Sequence, residues 1–486
     1  MIPDLAEADQ RRACDLFSPW GALGRVLTAL RALRLKTVFL GCTLLMACAP
    51  AETPPSRASA SLATDLPPIR TFATRAASPP LRSNADMARD FLDLHFRLEG
   101  GTTMPVFTRF EGPVSVAVTG AAPATLRMDL EALLTRLRRE AGINVRLRAP
   151  GEVPASVTIE AVSRARIQRL LPHAACFVVP NVSSIEEYRR ARRLPQTDWK
   201  NLRSRERLAI FVPNDVNPQE LRDCLHEELA QALGPLNDLY RLRDSVFNDD
   251  NVHAVLTGFD MLMLRATYDP SLKTGMTREE VAARLPAILS RLNPAGARRA
   301  SAPLPQTPSA WTSAVETALG GSATRAQRVR AAHTAAHIAE AQGWQDHRRA
   351  FGHFLIGRTL ETSAPEQAEA HFRTALNYLG TGPDTAPHRA LNQSRLAAYA
   401  LRAGNVARAE QLIDTAYGAA QTSQNAALMA TLLTLKAHIA ESRGDHRRAT
   451  ALRAESAGWA LYGNGPGAVI ALTPREVAAA GPSRRR

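Results

Sequence analysis

Apolar residues recur at two periods along this chain, and the change from one to the other divides it. Residues 87–96 hold their apolar side chains on one helical face, and the valines of residues 114–118 alternate as in a half-buried strand. Leu126, Leu130, Leu133, Leu134 and Leu137 then mark one side of a longer helix, and strands are expected at residues 143–147 and 157–162. A further apolar run, residues 208–212, leads to Asn217, Pro218 and Glu220. They offer a cap residue, a proline where no N–H is needed, and an acid beside the helix N-terminus. Together these elements predict an α+β domain over residues 84–290.

Beyond a Pro-, Ala- and Arg-rich linker at residues 291–309, the period is helical throughout, and the chain repeats itself over residues 310–465. Ala368, Phe372 and Ala375 return as Ala409, Ile413 and Ala416, and again as Ala449, Arg453 and Ser456. Gly404-Asn405 and Gly444-Asp445 precede the second and third copies, where a tight turn joins paired helices. The small-large-small spacing resembles tetratricopeptide repeats, although the period is longer. A resemblance of this kind implies an all-α helix-hairpin solenoid, a scaffold that presents a concave face to other proteins and carries no chemistry of its own. An ordinary helical bundle is the alternative, and residues 466–486 read as a flexible tail.

The N-terminus changes the picture of where the protein works. An uncharged run at residues 37–47 follows Arg31, Arg34 and Lys36 and ends at Leu45, Met46, Ala47 and Cys48. It has the length of a signal-peptide core and is too short to span a bilayer. A small residue directly before a cysteine at the end of such a run resembles the lipobox of bacterial lipoproteins. The resemblance implies that residues 1–47 are removed, that Cys48 carries lipid, and that the protein is held at a membrane as a periplasmic or outer-membrane lipoprotein. Residues 1–30 exceed the usual charged leader, which points to a true start further along. Residues 48–83, with seven prolines at 50, 54, 55, 67, 68, 79 and 80, read as a disordered tether.

The formal charge of +14, from 60 Lys and Arg against 46 Asp and Glu, adds little. The arginines are scattered without interleaved aromatics, so nucleic acid is not expected as a partner. Removal of the precursor and acylation of Cys48 leave Cys176 and Cys224. An oxidising compartment favours their pairing, with two separate buried thiols as the alternative.

The segment richest in chemistry is Cys224 to Asp238. If His226 and Glu227 opened a zinc-protease motif, a second histidine would stand at position 230, which is Ala. Shifted by one residue, the segment resembles the metzincin motif. Glu227, Gln231 and Asn237 then occupy the three zinc-ligand places, Glu228 the general-base place and Gly234 the motif glycine. Residues 245–247 fall where that fold has its methionine turn, with Phe247 for Met, and residues 260–268 resemble its closing helix. The run of residues 227–234, with Asn237-Asp238, residues 245–249, Tyr268-Asp269-Pro270 and Gly275-Met276, also resembles a bacterial lipoprotein family known only as domain of unknown function 2927. That family's tail is similar to residues 458–463.

These readings imply a degenerate metzincin-like head followed by helical repeats. Glu, Gln and Asn suit zinc poorly, so neither metal nor cofactor is expected, and the three side chains are expected to tie their helix to the turn at residues 245–247. His226, about one hundred degrees round the helix from Glu227, reads as a capped or partly exposed histidine. The expected role is a non-catalytic binding or scaffold lipoprotein whose partners are the membrane, through its anchor, and envelope proteins or peptides. Two alternatives stand beside it: an atypical metal-dependent hydrolase using Glu228, and a structural component of the envelope.

Overall fold

The computed structural model describes residues 66–73, 75–149, 154–321 and 323–466, so the leader, Cys48 and most of the expected tail lie outside it. Helix α1 (Asn84–Phe96) opens the head, and Ser83 Oγ accepts from Asp86 N at 3.1 Å to cap it. There follow β1 (Val114–Gly120), α2 (Ala124–Glu140), β2 (Val145–Leu147), β3 (Val157–Val162), α3 (Arg164–Gln168), β4 (Phe177–Pro180), α4 (Ile185–Ala191), β5 (Leu208–Pro213) and the long α5 (Pro218–Leu233). The strand expected from residue 143 begins pairing only at Val145.

All five strands join one sheet in the order β2-β1-β3-β5-β4. Four run parallel, and only β4, at the edge, is antiparallel, with Val178 opposite Ile210. A largely parallel sheet must be covered on both faces, which explains why β5 is apolar along its whole length rather than alternating. Ile159, Leu208, Ile210 and Val212 pack into the main core with Leu130, Leu225 and Phe91, while Ala209, Phe211, Phe177 and Ile167 form a smaller core on the opposite face. Helices α6 (Gly258–Thr267), α7 (Arg278–Leu292) and the short α8 (Pro294–Ala297) complete the head. The architecture is the expected α+β head followed by helices.

The second half is α9 (Ser309–Leu319), α10 (Arg325–Ala341), α11 (His347–Leu360), α12 (Pro365–Asn377), α13 (Ala386–Arg402), α14 (Val406–Thr422), α15 (Ala426–Ser442) and α16 (His446–Asn464). Successive helices pack as hairpins, with the repeated motif on the second member of each of the last three pairs. Gly404 and Gly444 sit at φ 75° and 79°, a left-handed turn that releases the next residue to cap a helix. Asn405 and Asp445 do so, accepting from Arg408 N at 3.1 Å and Arg448 N at 3.0 Å. Ala368, Ala375, Ala409, Ala416 and Ala449 are wholly buried. In the third copy Ser456 Oγ donates to Ala430 O at 2.8 Å, and Arg453 turns outward to pair with Glu441.

The two halves share a core rather than meeting across a linker. Tyr240 and Val252 of the head belong to the apolar cluster around Trp311 of α9. Gln219 Oε1 accepts from Ala426 N at 2.7 Å, so a head side chain helps cap α15. Residues 66–83 depart from the tether reading: Phe72 packs on Trp459 at 4.5 Å, Arg70 N donates to Gly458 O at 3.2 Å, and Ala77 N to Glu140. Proline fixes φ and removes donors, which suits an extended strap bound by side chains as well as a loose tether. Residues 301–305 of the expected linker are likewise held, by Asp86, Arg89 and Arg348. No helix among the described residues is long and apolar enough to cross a membrane.

Candidate functional site

Helix α5 begins as its sequence requires: Asn217 Oδ1 accepts from Glu220 N at 2.9 Å, and Pro218 fills the first position. Its end is fixed by a residue with no sequence signal. Arg205, buried, donates from Nη1 to Gln231 O at 2.6 Å and Ala232 O at 2.7 Å, and from Nη2 to Gly234 O at 2.6 Å. The guanidinium thus gives donors to Ala232 O and Gly234 O and adds a second to Gln231 O, which also accepts from Gly234 N at 3.2 Å. Burial lowers its pKa to about 10, still well above neutrality. Gly234 is demanded by proximity: a Cβ there would lie 2.7 Å from Thr267 Cγ2 and 3.1 Å from His95 Nε2.

Of the three ligand-place residues, Gln231 is 8% and Asn237 4% exposed, while Glu227 is half-buried. Gln231 Nε2 donates to Asp238 Oδ2 at 3.0 Å, and Asn237 Nδ2 to Asp93 O at 3.1 Å. Both amides are therefore engaged, but not with the turn at residues 245–247 as expected. That turn is held instead by Asp260, which accepts from Ser245 Oγ and from Val246 N, at 3.2 Å in the second case. Phe247, in the methionine place, is wholly buried. His226 also differs from expectation: it is buried, and its Nδ1 accepts from Leu256 N at 3.1 Å. Cys176 and Cys224 form a disulfide that ties α5 to the start of β4.

What gathers around Glu227 is carboxyls. Burial, and after it the charges of Glu228, Asp249, Glu99 and Asp223, push its pKa well above the usual range. Burial and the charges of Glu227 and Glu99 do the same to Asp238. Burial and Glu99 push Glu228 up to about 8. Asp249, whose Oδ2 accepts from Tyr240 Oη at 2.9 Å, rises to about 7 through burial and Glu99. Glu99 lies in an exposed loop and carried no sequence signal; Asp249 had entered only as part of a family resemblance.

The resemblance of residues 227–237 to the metzincin motif implies zinc, and these residues do not fit it. The ligand places supply one carboxyl and two amides already committed within the protein, where zinc takes histidine nitrogen or thiolate. Among the described residues, no three His, Cys, Asp or Glu side chains are grouped as a metal ion needs. No curated protein and no solved structure matches the chain. Residues 84–287, from the first head helix into α7, match the family described as Protein of unknown function (DUF2927).

Proposed function

We propose that this chain is a non-catalytic binding protein of the bacterial cell envelope, anchored by lipid on Cys48 and built from a former protease head fused to helical repeats. The observation that carries the reading is the internal engagement of Gln231 and Asn237. A catalytic zinc site keeps one position open for water, polarises that water and stabilises the developing oxyanion, and each contribution is worth several kcal/mol. Two buried amides bonded to Asp238 and to the Asp93 carbonyl offer neither the ligands nor the open position. The solenoid hairpins add binding surface without adding chemistry.

The test is twofold. Purified protein loaded with excess zinc and then dialysed retains none in stoichiometric amount and cleaves no peptide from a mixed library, while cross-linking in cells captures envelope proteins. Labelling with a palmitate analogue places lipid on the chain, and Cys48→Ala abolishes it. One zinc per chain, lost together with peptidase activity in Gln231→Ala, overturns the proposal. A second reading rests on Glu228, whose Oε2 is buried without a hydrogen-bond partner and whose pKa of about 8 suits a proton donor in hydrolysis. A hydrolytic activity abolished by Glu228→Gln in zinc-free protein would establish that reading instead.

A further inference from the structure

Between the end of the strap, the first turns of α1 and the segment that follows α8 lies a cavity of about 440 Å³. Its walls carry five arginines, Arg82, Arg89, Arg241, Arg243 and Arg299, against two carboxylates, Asp86 and Asp90. A cavity of this size is in the range of small-molecule sites. Three sections of chain far apart in sequence supply the arginines, so no local pattern announced the site.

The carboxylates of this wall are already engaged. Asp90 meets three guanidiniums at once. Its Oδ2 accepts from Arg82 Nη1 at 2.8 Å, its Oδ1 accepts from Arg241 Nε at 3.0 Å and Nη2 at 2.8 Å, and Arg89 Nη2 lies 3.8 Å away. Asp86 accepts from Ser301 Oγ at 2.7 Å and from Ala302 N at 3.0 Å. Behind the wall Asp244 pairs with Arg82, Asp93 with Arg241 and Arg278, and Asp384 with Arg243. These pairs offset much of the positive charge, but a guanidinium has five N–H groups and they do not exhaust its donors.

The unused donors are specific. Arg241, whose side chain is only 4% exposed, bonds through Nε and Nη2, and its Nη1 has no acceptor among the described residues. Arg89 donates from Nη2 to Leu304 O at 3.1 Å, while its Nε is buried without a partner. Arg243 meets Asp384 through Nε, which leaves both of its Nη groups, and Arg299 is exposed with no acid partner among the described residues. Donors held in place without acceptors fit a ligand that brings its own.

That imbalance sets the ligand's chemistry. A cation is repelled by the surplus of arginine, and an apolar group would bury these N–H groups unpaired. An oxyanion supplies acceptors at about 2.7–2.9 Å in the geometry of the arginine fork. A carboxylate has two oxygens, whereas a phosphate group spreads three to meet guanidiniums from separate segments. We propose that this cavity binds the phosphate group of a small molecule, with Arg89, Arg241, Arg243 and Arg299 as its donors. The site shares no residue with Glu227, Gln231 and Asn237, so it stands whether or not the binding-protein reading does.

Isothermal titration calorimetry of the purified protein, at constant ionic strength, tests it with inorganic phosphate, glycerol phosphate, acetate and glycerol. Both phosphates bind, acetate binds at least tenfold more weakly, and glycerol does not bind. The tighter of the two phosphates names the source, free ion or ester. Arg89→Gln combined with Arg299→Gln weakens that binding at least tenfold, whereas Arg127→Gln on the exposed face of α2 leaves it unchanged. Arg89 is 37% exposed and Arg299 is exposed, so the double variant folds, which an unchanged circular dichroism spectrum verifies. Independently of any variant, phosphate raises the Tm of the unaltered chain and acetate does not. Failure of both phosphates to bind at millimolar concentration, equal affinity for acetate, or unaltered affinity in the folded double variant overturns the proposal. Capture by phosphatidylglycerol vesicles without binding of either soluble phosphate overturns it as well.

Discussion

Cys176 and Cys224, their Cα atoms 6.0 Å apart, are joined by a disulfide between the residue leading into edge strand β4 and the second turn of α5, the helix that presents Glu227 and Glu228. The bond closes a loop of 48 residues' separation, and the chain-entropy estimate for such a loop is about 4 kcal/mol. Free-thiol titration of the unfolded, unreduced mature protein therefore finds neither cysteine. Cys176→Ser with Cys224→Ser lowers stability by about 2–4 kcal/mol in urea denaturation. Two titratable thiols in the untreated protein would refute the bridge.

Arg205 is expected to be the costliest polar residue of the head to replace. Arg205→Met removes the donors to three buried carbonyls, those of Gln231, Ala232 and Gly234. Gln231 O keeps its bond from Gly234 N, so two carbonyls are left unsatisfied, and at about 1–3 kcal/mol for each a loss of about 2 kcal/mol or more follows. Arg205→Lys recovers only part of it, because a single ammonium lacks the planar fork that reaches all three. Urea midpoints of the two variants check both the size and the order.

Much of this framework was legible in local pattern. The leucines of α2, the apolar β5, the cap at Asn217 and the Gly-Asx turns of the repeats each act through neighbours close in sequence, so spacing reveals them. The candidate site was legible only in part. Glu227, Gln231 and Asn237 could be placed by motif, but their partners Asp238 and Asp93, the acid Glu99 and the capping Arg205 are brought in by tertiary packing. Phe72 and the rest of the strap were misread for a related reason: proline-rich composition reports a lack of periodicity, and it says nothing of a groove elsewhere that binds an extended chain.

Acid and base limbs of stability should have different owners. Glu228 and Asp249 have folded pKa values of about 8 and about 7, above those of an unfolded carboxyl near 4. Their contribution is full below pH 4 and is lost as pH rises through 7 and 8. His95 and His347, lowered by burial to about 3, act oppositely: their contribution is present above pH 6.5 and is lost as pH falls toward 3. From these four groups stability rises between about pH 3 and 4, stays roughly level to about pH 6.5, and declines to about pH 8 through the acids. Glu228→Gln is more stable than the parent at pH 8.5 by on the order of 2 kcal/mol, and the difference shrinks as pH approaches 5. An unchanged difference across that range would remove the acids from the explanation.

Head and repeats should unfold as one cooperative unit, because the residues that join them are buried on both sides. Tyr240 of the head meets the ring of Trp311 edge-on at 5.0 Å, its carbonyl accepts from His347 Nε2 at 2.7 Å, and its hydroxyl donates to Asp249. Nearby His388 Nε2 bonds Asp250 Oδ2 at 2.7 Å, and at the far end of the helical repeats Tyr462 Oη donates to Asp129 at 2.8 Å. Residues 310–465 expressed alone remain helical by circular dichroism, as antiparallel hairpins should. They also lose the cover of Tyr240, Val252 and Phe72 over their core, so the isolated piece is less stable than the same helices in the full chain. Tyr240→Ala removes a buried aromatic for a cost of about 3–5 kcal/mol. Because the core is shared, that cost appears in the tail as much as in the head. Fluorescence of Trp311, Trp344 and Trp459 and disulfide-proximal probes on α5 should report a single shifted midpoint. Two separated transitions, with the tryptophans of the repeats unmoved by a substitution in the head, would show that the halves are independent domains.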